Sequence, residues 1–118
     1  MGQAINDIQE ELIEEFGLFE DWADKYEYLI DLGKKLAPMS DVFKTEENVI
    51  KGCQSRVWLH AEKQGDLVVF QADSEAIIVK GMISMLIRVL SNHTPAEILA
   101  ADLYFIDQIG MSQHLAQT

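Results

Sequence analysis

This 118-residue chain is short of cysteine, proline and basic charge: it has one cysteine, two prolines, and nine basic residues against twenty acidic ones. The lone thiol, Cys53, cannot close an internal disulfide. By itself it cannot build an all-cysteine zinc site or hold an iron–sulfur cluster, so no metal site is expected. A net charge of −11 at pH 7 leaves no basic footprint to neutralise phosphates, which argues against nucleic acid and against an anionic membrane surface as partners. Apolar runs such as Leu67-Val68-Val69-Phe70 fall far below the ~20 residues that span a bilayer. The start, Met1-Gly2-Gln3-Ala4-Ile5-Asn6-Asp7, has neither a basic segment nor the long apolar core of a signal peptide. Together these read as a soluble, cytoplasmic protein.

The composition is ordinary for a globular chain, with 48% hydrophobic and 25% charged residues. Its length suits one domain over residues 1–118, with enough chain to bury a core without disulfides or metals. No repeat, low-complexity segment or Pro/Gly-rich linker marks a boundary. Acid is concentrated early: residues 1–50 hold 13 acidic and 4 basic side chains, and residues 51–118 hold 7 and 5. Two readings fit that bias, the solvated face of two helices or a surface that steers a basic partner.

Ile5, Ile8, Leu12 and Phe16 recur at helical spacing, and Gly17 is a plausible stop. A second helix is expected over about Glu20 to Leu36, with Trp22, Tyr26, Leu29, Ile30 and Gly33 facing inward and Pro38 ending it. Residues 37–48 read as a polar loop holding Val42 and Phe43. The period then changes. Val57, Leu59 and Ala61 alternate with Arg56, His60 and Glu62, a half-buried strand with Trp58 on its second face. Gln64-Gly65-Asp66 reads as a turn and Leu67–Ala72 as a second strand. A short strand around Asn48 to Lys51 would complete a three-stranded antiparallel sheet.

Ser74 is expected to cap a helix from about Glu75 to Leu90, with Met82 and Met85 as core filling. Asp73 and Glu75 would favour its dipole. Thr94-Pro95-Ala96-Glu97 combines a capping threonine, a proline at the first helical position and the glutamate of a capping box. Ser112 opens a last helix. The order of elements gives an α+β fold, with helices packed on one face of a small antiparallel sheet.

Cys53 falls between two expected strands, so it belongs to a loop. Gly52 permits a tight turn before it, and Lys51 and Arg56 flank it in a stretch without acid. Nearby cations favour the thiolate, which is the nucleophile. The alternative is a small buried hydrophobe. His60, His93 and His114 show no metal-ligand spacing and read as surface or packing residues.

The block Ile50-Lys51-Gly52-Cys53-Gln54-Ser55-Arg56-Val57-Trp58-Leu59 resembles the signature of the SufE family of sulfur-acceptor proteins. Trp22 to Gly33, Asp73 to Gly81 and Gly110 to Leu115 resemble that family in register, so the resemblance spans essentially the whole chain. It implies the fold shared with IscU-type scaffold proteins, although this chain lacks the further cysteines of a scaffold. It also implies a sulfur acceptor and activator of a cysteine desulfurase rather than a stand-alone enzyme. Cys53 would take the terminal sulfur of the desulfurase persulfide, become a transient persulfide itself, and deliver the sulfur to a downstream iron–sulfur scaffold. Lys51, Gly52, Gln54, Ser55 and Arg56 would meet the partner. The acceptor would hold no cofactor, since the pyridoxal phosphate belongs to the desulfurase.

Persulfide transfer is thiol–disulfide exchange, which needs one reachable thiolate of moderate pKa and no second cysteine. An apolar pocket would shelter the product, and Val57, Trp58 and Leu59 lie close enough in sequence to contribute. A regulatory module that stimulates the desulfurase without carrying sulfur is the alternative. A one-cysteine peroxidase ranks last, because no histidine or threonine partner stands near Cys53 in sequence. The family's last helix normally continues past the position of Thr118, so the sequence is expected to be truncated in that helix.

Overall fold

The structure, a computed structural model, describes residues 4–51 and 55–111. Among the described residues there are five helices and one antiparallel hairpin, the hairpin packing chiefly on α3: α1 (Ile5–Phe16), α2 (Trp22–Lys34), β1 (Val57–Gln64), β2 (Leu67–Ser74), α3 (Ile77–Leu90), α4 (Pro95–Ala100) and α5 (Phe105–Gln108). Two short 3-10 turns, Asp41–Phe43 and Glu46–Asn48, interrupt the long connection from α2 to β1. This is the expected α+β class. No described helix is long and apolar enough to cross a membrane.

Among the described residues, the sheet has two strands rather than three. The Asn48 to Lys51 segment makes only an isolated bridge, Val49 to Trp58, and one hydrogen bond from Ile50 N–H to the Val57 carbonyl at 2.9 Å. The 3-10 turn ending at Asn48 bends the chain away before a ladder can extend. The hairpin itself runs longer than its apolar pattern suggests, because its register pairs Val57 with Ser74 at one end and Gln64 with Leu67 at the other. Gly65 takes φ +62° at the first central position of the two-residue turn, as a type II′ turn requires.

Packing is organised by the helices. Ile5, Ile8, Leu12 and Phe16 of α1 meet Leu29 of α2, Met85 and Val89 of α3, and Phe105 of α5 in the main core. α2 and α3 approach backbone to backbone. A Cβ on Gly81 would fall 2.3 Å from the Leu29 carbonyl oxygen, and one on Gly33 would fall 2.9 Å from the Gly81 nitrogen. A second, smaller cluster of Val57, Ala72 and Ile83 fastens the sheet to α3.

Polar side chains lock this arrangement. Gln9, which falls on the apolar stripe of α1 between Ile5 and Leu12, is fully buried although its side chain is polar. Its amide nitrogen donates to the Asp102 carbonyl at 3.0 Å, and its amide oxygen accepts from Phe105 N–H at 3.1 Å. Glu15 leaves the acidic face to accept two bonds from Arg88, at 3.1 and 2.6 Å, and a third from the Tyr28 hydroxyl. The Arg88 bond holds the Glu15 carboxyl below its usual range, against burial and with help from Tyr28. Burial first, and then Glu15, push the Tyr28 hydroxyl up to about 12.

Ser74 does not cap α3, whose flanking residue is Ala76. Pairing with Val57 keeps Ser74 in the strand, and its hydroxyl instead accepts from Ala76 N–H at 3.2 Å and donates to the Arg56 carbonyl at 2.9 Å. Thr94 and Glu97 form the expected capping box of α4. Met85 is buried and Met82 packs against the same core. Ser112 and His114 lie outside the described residues.

The glycine contact generates a direct test. Gly81→Ala gains helix propensity worth up to ~1 kcal/mol but forces apart two packed backbones, which costs roughly 1–3 kcal/mol or more. Thermal unfolding should show the midpoint lowered by about 5 °C or more. An unchanged or raised midpoint would mean that the helices separate freely.

Candidate functional site

Ile50 and Val57, on either side of Cys53 in sequence, are brought together at one place in the fold. The Ile50 to Val57 hydrogen bond and the Val49 to Trp58 bridge tie the two feet together. The Arg56 carbonyl is held by the Ser74 hydroxyl at 2.9 Å, and Asn48 secures the incoming segment by donating its side-chain amide to the Phe43 carbonyl at 2.7 Å. Lys51 is exposed in a turn at one end, Ser55 is half-buried at the other, and Arg56 is exposed beside it. Cys53, with its neighbours Gly52 and Gln54, lies between these feet in sequence and outside the described residues. The expectations that Cys53 sits at the loop tip and is tucked into a pocket fall there too.

The two feet border an apolar cavity of about 170 Å³ between the sheet and α3. Ile50, Val57, Leu59 and Ala72 line it from the strand side, and Ile83 and Ile87 from the helix. Trp58 does not contribute, contrary to the expectation drawn from its sequence position. Successive strand residues point to opposite faces, so Val57 and Leu59 face the cavity while Trp58 faces away. Its ring instead lies 5.7 Å from the Lys44 ammonium and 6.0 Å from the Arg56 guanidinium.

That opposite face carries a polar cluster with no signature in the sequence. Asp73, paired across the sheet with Trp58, receives Lys44 at 2.8 Å and Lys80 at 3.4 Å. It therefore serves as an ion-pair hub between three elements and not, as its position suggests, as a charge for the α3 dipole. Burial alone would raise its carboxyl. The Lys44 bond, the Ser74 N–H and the Lys80 charge outweigh burial and hold it below the usual carboxylate range. Phe43 stacks on His60 with ring centroids 3.8 Å apart, which fixes the 3-10 turn on the sheet.

The two flanking cations are not equivalent. In sequence the loop has no acid, but the fold brings Glu46 to Arg56 at 2.7 Å. This bond raises the guanidinium pKa and lowers that of Glu46. Arg56 is therefore committed to Glu46 and Trp58, while Lys51 stands exposed. Among the described residues, no group of three His, Cys, Asp or Glu side chains could hold a metal.

A model of the SufE family, described as an Fe-S metabolism associated domain, matches residues 10–118. The chain belongs to the SufE family. An uncharacterised SufE-like protein of Rhizobium meliloti is 36% identical over 112 residues, which cover 91% of this chain and 80% of the relative. A second SufE-like protein, of Rhizobium etli, is 35% identical over 112 residues, covering 91% and 76%. Membership supports a role in Fe–S metabolism for this SufE-family chain.

The Asp73 hub sets a pH dependence. A carboxyl whose folded pKa is depressed adds stability above its unfolded pKa near 4 and loses it as pH falls through the folded value. Asp73→Asn should cost about 1–2 kcal/mol at pH 7. Denaturant titrations of the two proteins should converge below about pH 3. A gap that persists undiminished in acid would remove the charge from the explanation.

Proposed function

We propose that this protein takes persulfide sulfur from a cysteine desulfurase onto Cys53, delivers it to a downstream iron–sulfur scaffold, and stimulates the desulfurase in doing so. The observation that carries this reading is the loop. The chain's one thiol belongs to a segment whose two feet are pinned together beside an apolar cavity. Pinned feet anchor both ends of the segment that holds Cys53, and apolar walls beside them would shelter an easily reduced sulfur chain from water. Family membership supports the setting in Fe–S metabolism.

In the transfer, the Cys53 thiolate attacks the terminal sulfur of the desulfurase persulfide. The new sulfur–sulfur bond forms at Cys53 as the old one breaks, and the bonding pair leaves with the desulfurase cysteine as a thiolate. The terminal sulfur keeps its proton, and nothing is oxidised or reduced overall. The reaction is thiol–disulfide exchange, fastest when the attacking thiol has a pKa near the ambient pH. Lys51, exposed and close in sequence, provides a modest bias toward the thiolate. With no second cysteine in the chain, the persulfide cannot collapse into an internal disulfide. No cofactor is required of this protein, because the pyridoxal phosphate is the desulfurase's. Lys51, Gly52, Gln54, Ser55 and Arg56 form the surface that meets the partner.

Incubation with a desulfurase and free cysteine, followed by non-reducing mass spectrometry, should add one sulfur atom to the wild-type protein and none to Cys53→Ser. Desulfurase turnover should rise with the wild type only. If Cys53→Ser stimulates turnover as well as the wild type does, and neither protein gains sulfur, the chain is instead a regulatory module.

A further inference from the structure

The outer edge of β2 is closed at both ends and open between them. Val68 N–H donates to the His93 carbonyl and Asn92 N–H donates to the Val68 carbonyl, both at 2.8 Å, and Phe70 N–H donates to the Ser91 hydroxyl at 3.0 Å. At the other end, Ser74 N–H is taken by the Asp73 carboxylate at 2.8 Å. Outward main-chain groups alternate along a strand, so Ala72 also turns its N–H and C=O away from β1. Among the described residues, no hydrogen bond reaches those two groups or the Phe70 carbonyl. Ala72 is only 4% exposed, and main-chain groups in so sheltered a place ordinarily have partners.

Beside these groups runs a groove of about 460 Å³. Val69 and Gln71 project from one face of the sheet and Phe70 and Ala72 from the other, yet all four line it. A groove that touches both faces lies along the strand edge. Its opposite wall is the connection leaving α2, including Leu36, Pro38 and Met39, and Ile87 of α3 contributes as well. That wall differs in charge from the rest of the chain. Leu32 to Ser40 holds no acidic residue, and Lys34 and Lys35 directly precede Leu36. They are two of the four basic side chains in residues 1–50, and both are exposed. Among the described residues neither joins an ion pair, whereas Lys44, Arg56, Lys80 and Arg88 all do.

We propose that this groove takes an extended segment of a partner protein, apolar in its middle and acidic at one end, which adds to the outer edge of β2 as a third strand. Open main-chain groups in a row are matched by another strand and by little else. The segment's N–H groups donate to the Phe70 and Ala72 carbonyls, and one of its carbonyls accepts from Ala72 N–H. Its apolar side chains alternate between the Phe70, Ala72 and Ile87 side of the edge and the Val69 side. Its acidic end lies against Lys34 and Lys35, the two cations that no acid of this chain has claimed. The stretch is short, since Ser91 to His93 block one end and Asp73 the other, so binding leans on charge and weakens as salt is added. Phe70, Ala72 and Ile87 also line the cavity beside Ile50 and Val57, so the bound segment shares a wall with it.

Two capped peptides serve as probes, Glu-Glu-Val-Thr-Val-Thr and Val-Thr-Val-Thr-Glu-Glu, with amide hydrogen exchange of the unmodified protein as the first readout. At least one peptide should slow exchange at Ala72 N–H, while Gln71 N–H, which points into the hairpin, should not change. The tighter of the two gives the direction of the added strand. N-methylation of that peptide at alternate residues, on the side that faces the edge, should weaken binding at least about tenfold. Replacing its glutamates by lysines should weaken binding about fivefold or more at low salt, and the double variant Lys34→Glu with Lys35→Glu should reverse that preference. The proposal is overturned if neither peptide slows Ala72 N–H at millimolar concentration, or if the N-methylated peptide binds as well as its parent. It is overturned equally if Ala72 N–H is protected in the free protein, which would make a segment of this chain the occupant, or if protection rises with protein concentration alone, which would make it a second copy.

Discussion

The contact between α2 and α3 at Gly33 and Gly81 is the constraint on which the remaining geometry rests. With no Cβ on either glycine, the two helices meet at main-chain distance, and the Leu29 side chain drops over Gly81 into the core. That spacing fixes where the rest of α3 lies. One side of α3 then receives α1 through Met85 and Val89, and another receives the sheet through Ile83. The cavity at the loop feet is bounded by α3 as well. The helix that sets the core thus also forms one wall of the cavity beside Ile50 and Val57.

Much of this was legible because it is periodic. Ile5, Ile8, Leu12 and Phe16 declare one buried stripe, and Thr94-Pro95-Ala96-Glu97 declares a helix start whose two reciprocal bonds form as its spacing requires. The Val57-to-Ala61 alternation holds only in part, since Val57 and Leu59 line the cavity while Leu59 and Ala61 are exposed. Other features have no period. Gln9 falls on the buried stripe of α1, but the partners of its amide belong to a segment more than ninety residues later. The four-residue α5 is too short to leave a pattern of its own. The third strand failed because strand propensity around Val49 competes with a 3-10 turn that uses Glu46 to Asn48.

The site divides along the same line. Gly52-Cys53-Gln54-Ser55 stands out as a block of sequence, and the strand expected after it forms, while the one expected before it is reduced to an isolated bridge. The electrostatics were not legible, because they arise from contacts across chain distance. Glu46 reaches Arg56 from ten positions upstream, and Lys44 and Lys80 converge on Asp73 from opposite sides of the sheet's sequence. A stretch that looks purely cationic in sequence is therefore largely neutralised in space, and Lys51 is left as its exposed charge.

Gln9 carries one more implication, for how the protein ages. Its amide presents a donor end to the Asp102 carbonyl and to Asn6, and an acceptor end to Phe105 N–H. Only an amide offers both ends in that order. Hydrolysis to glutamate, the slow chemical fate of glutamine side chains, would leave an oxygen where the nitrogen was, 3.0 Å from another oxygen and inside the core. The tie between the first helix and the last described segment would then become a repulsion. The dry surroundings that make this tie strong also keep water, the reagent that would destroy it, away from the amide.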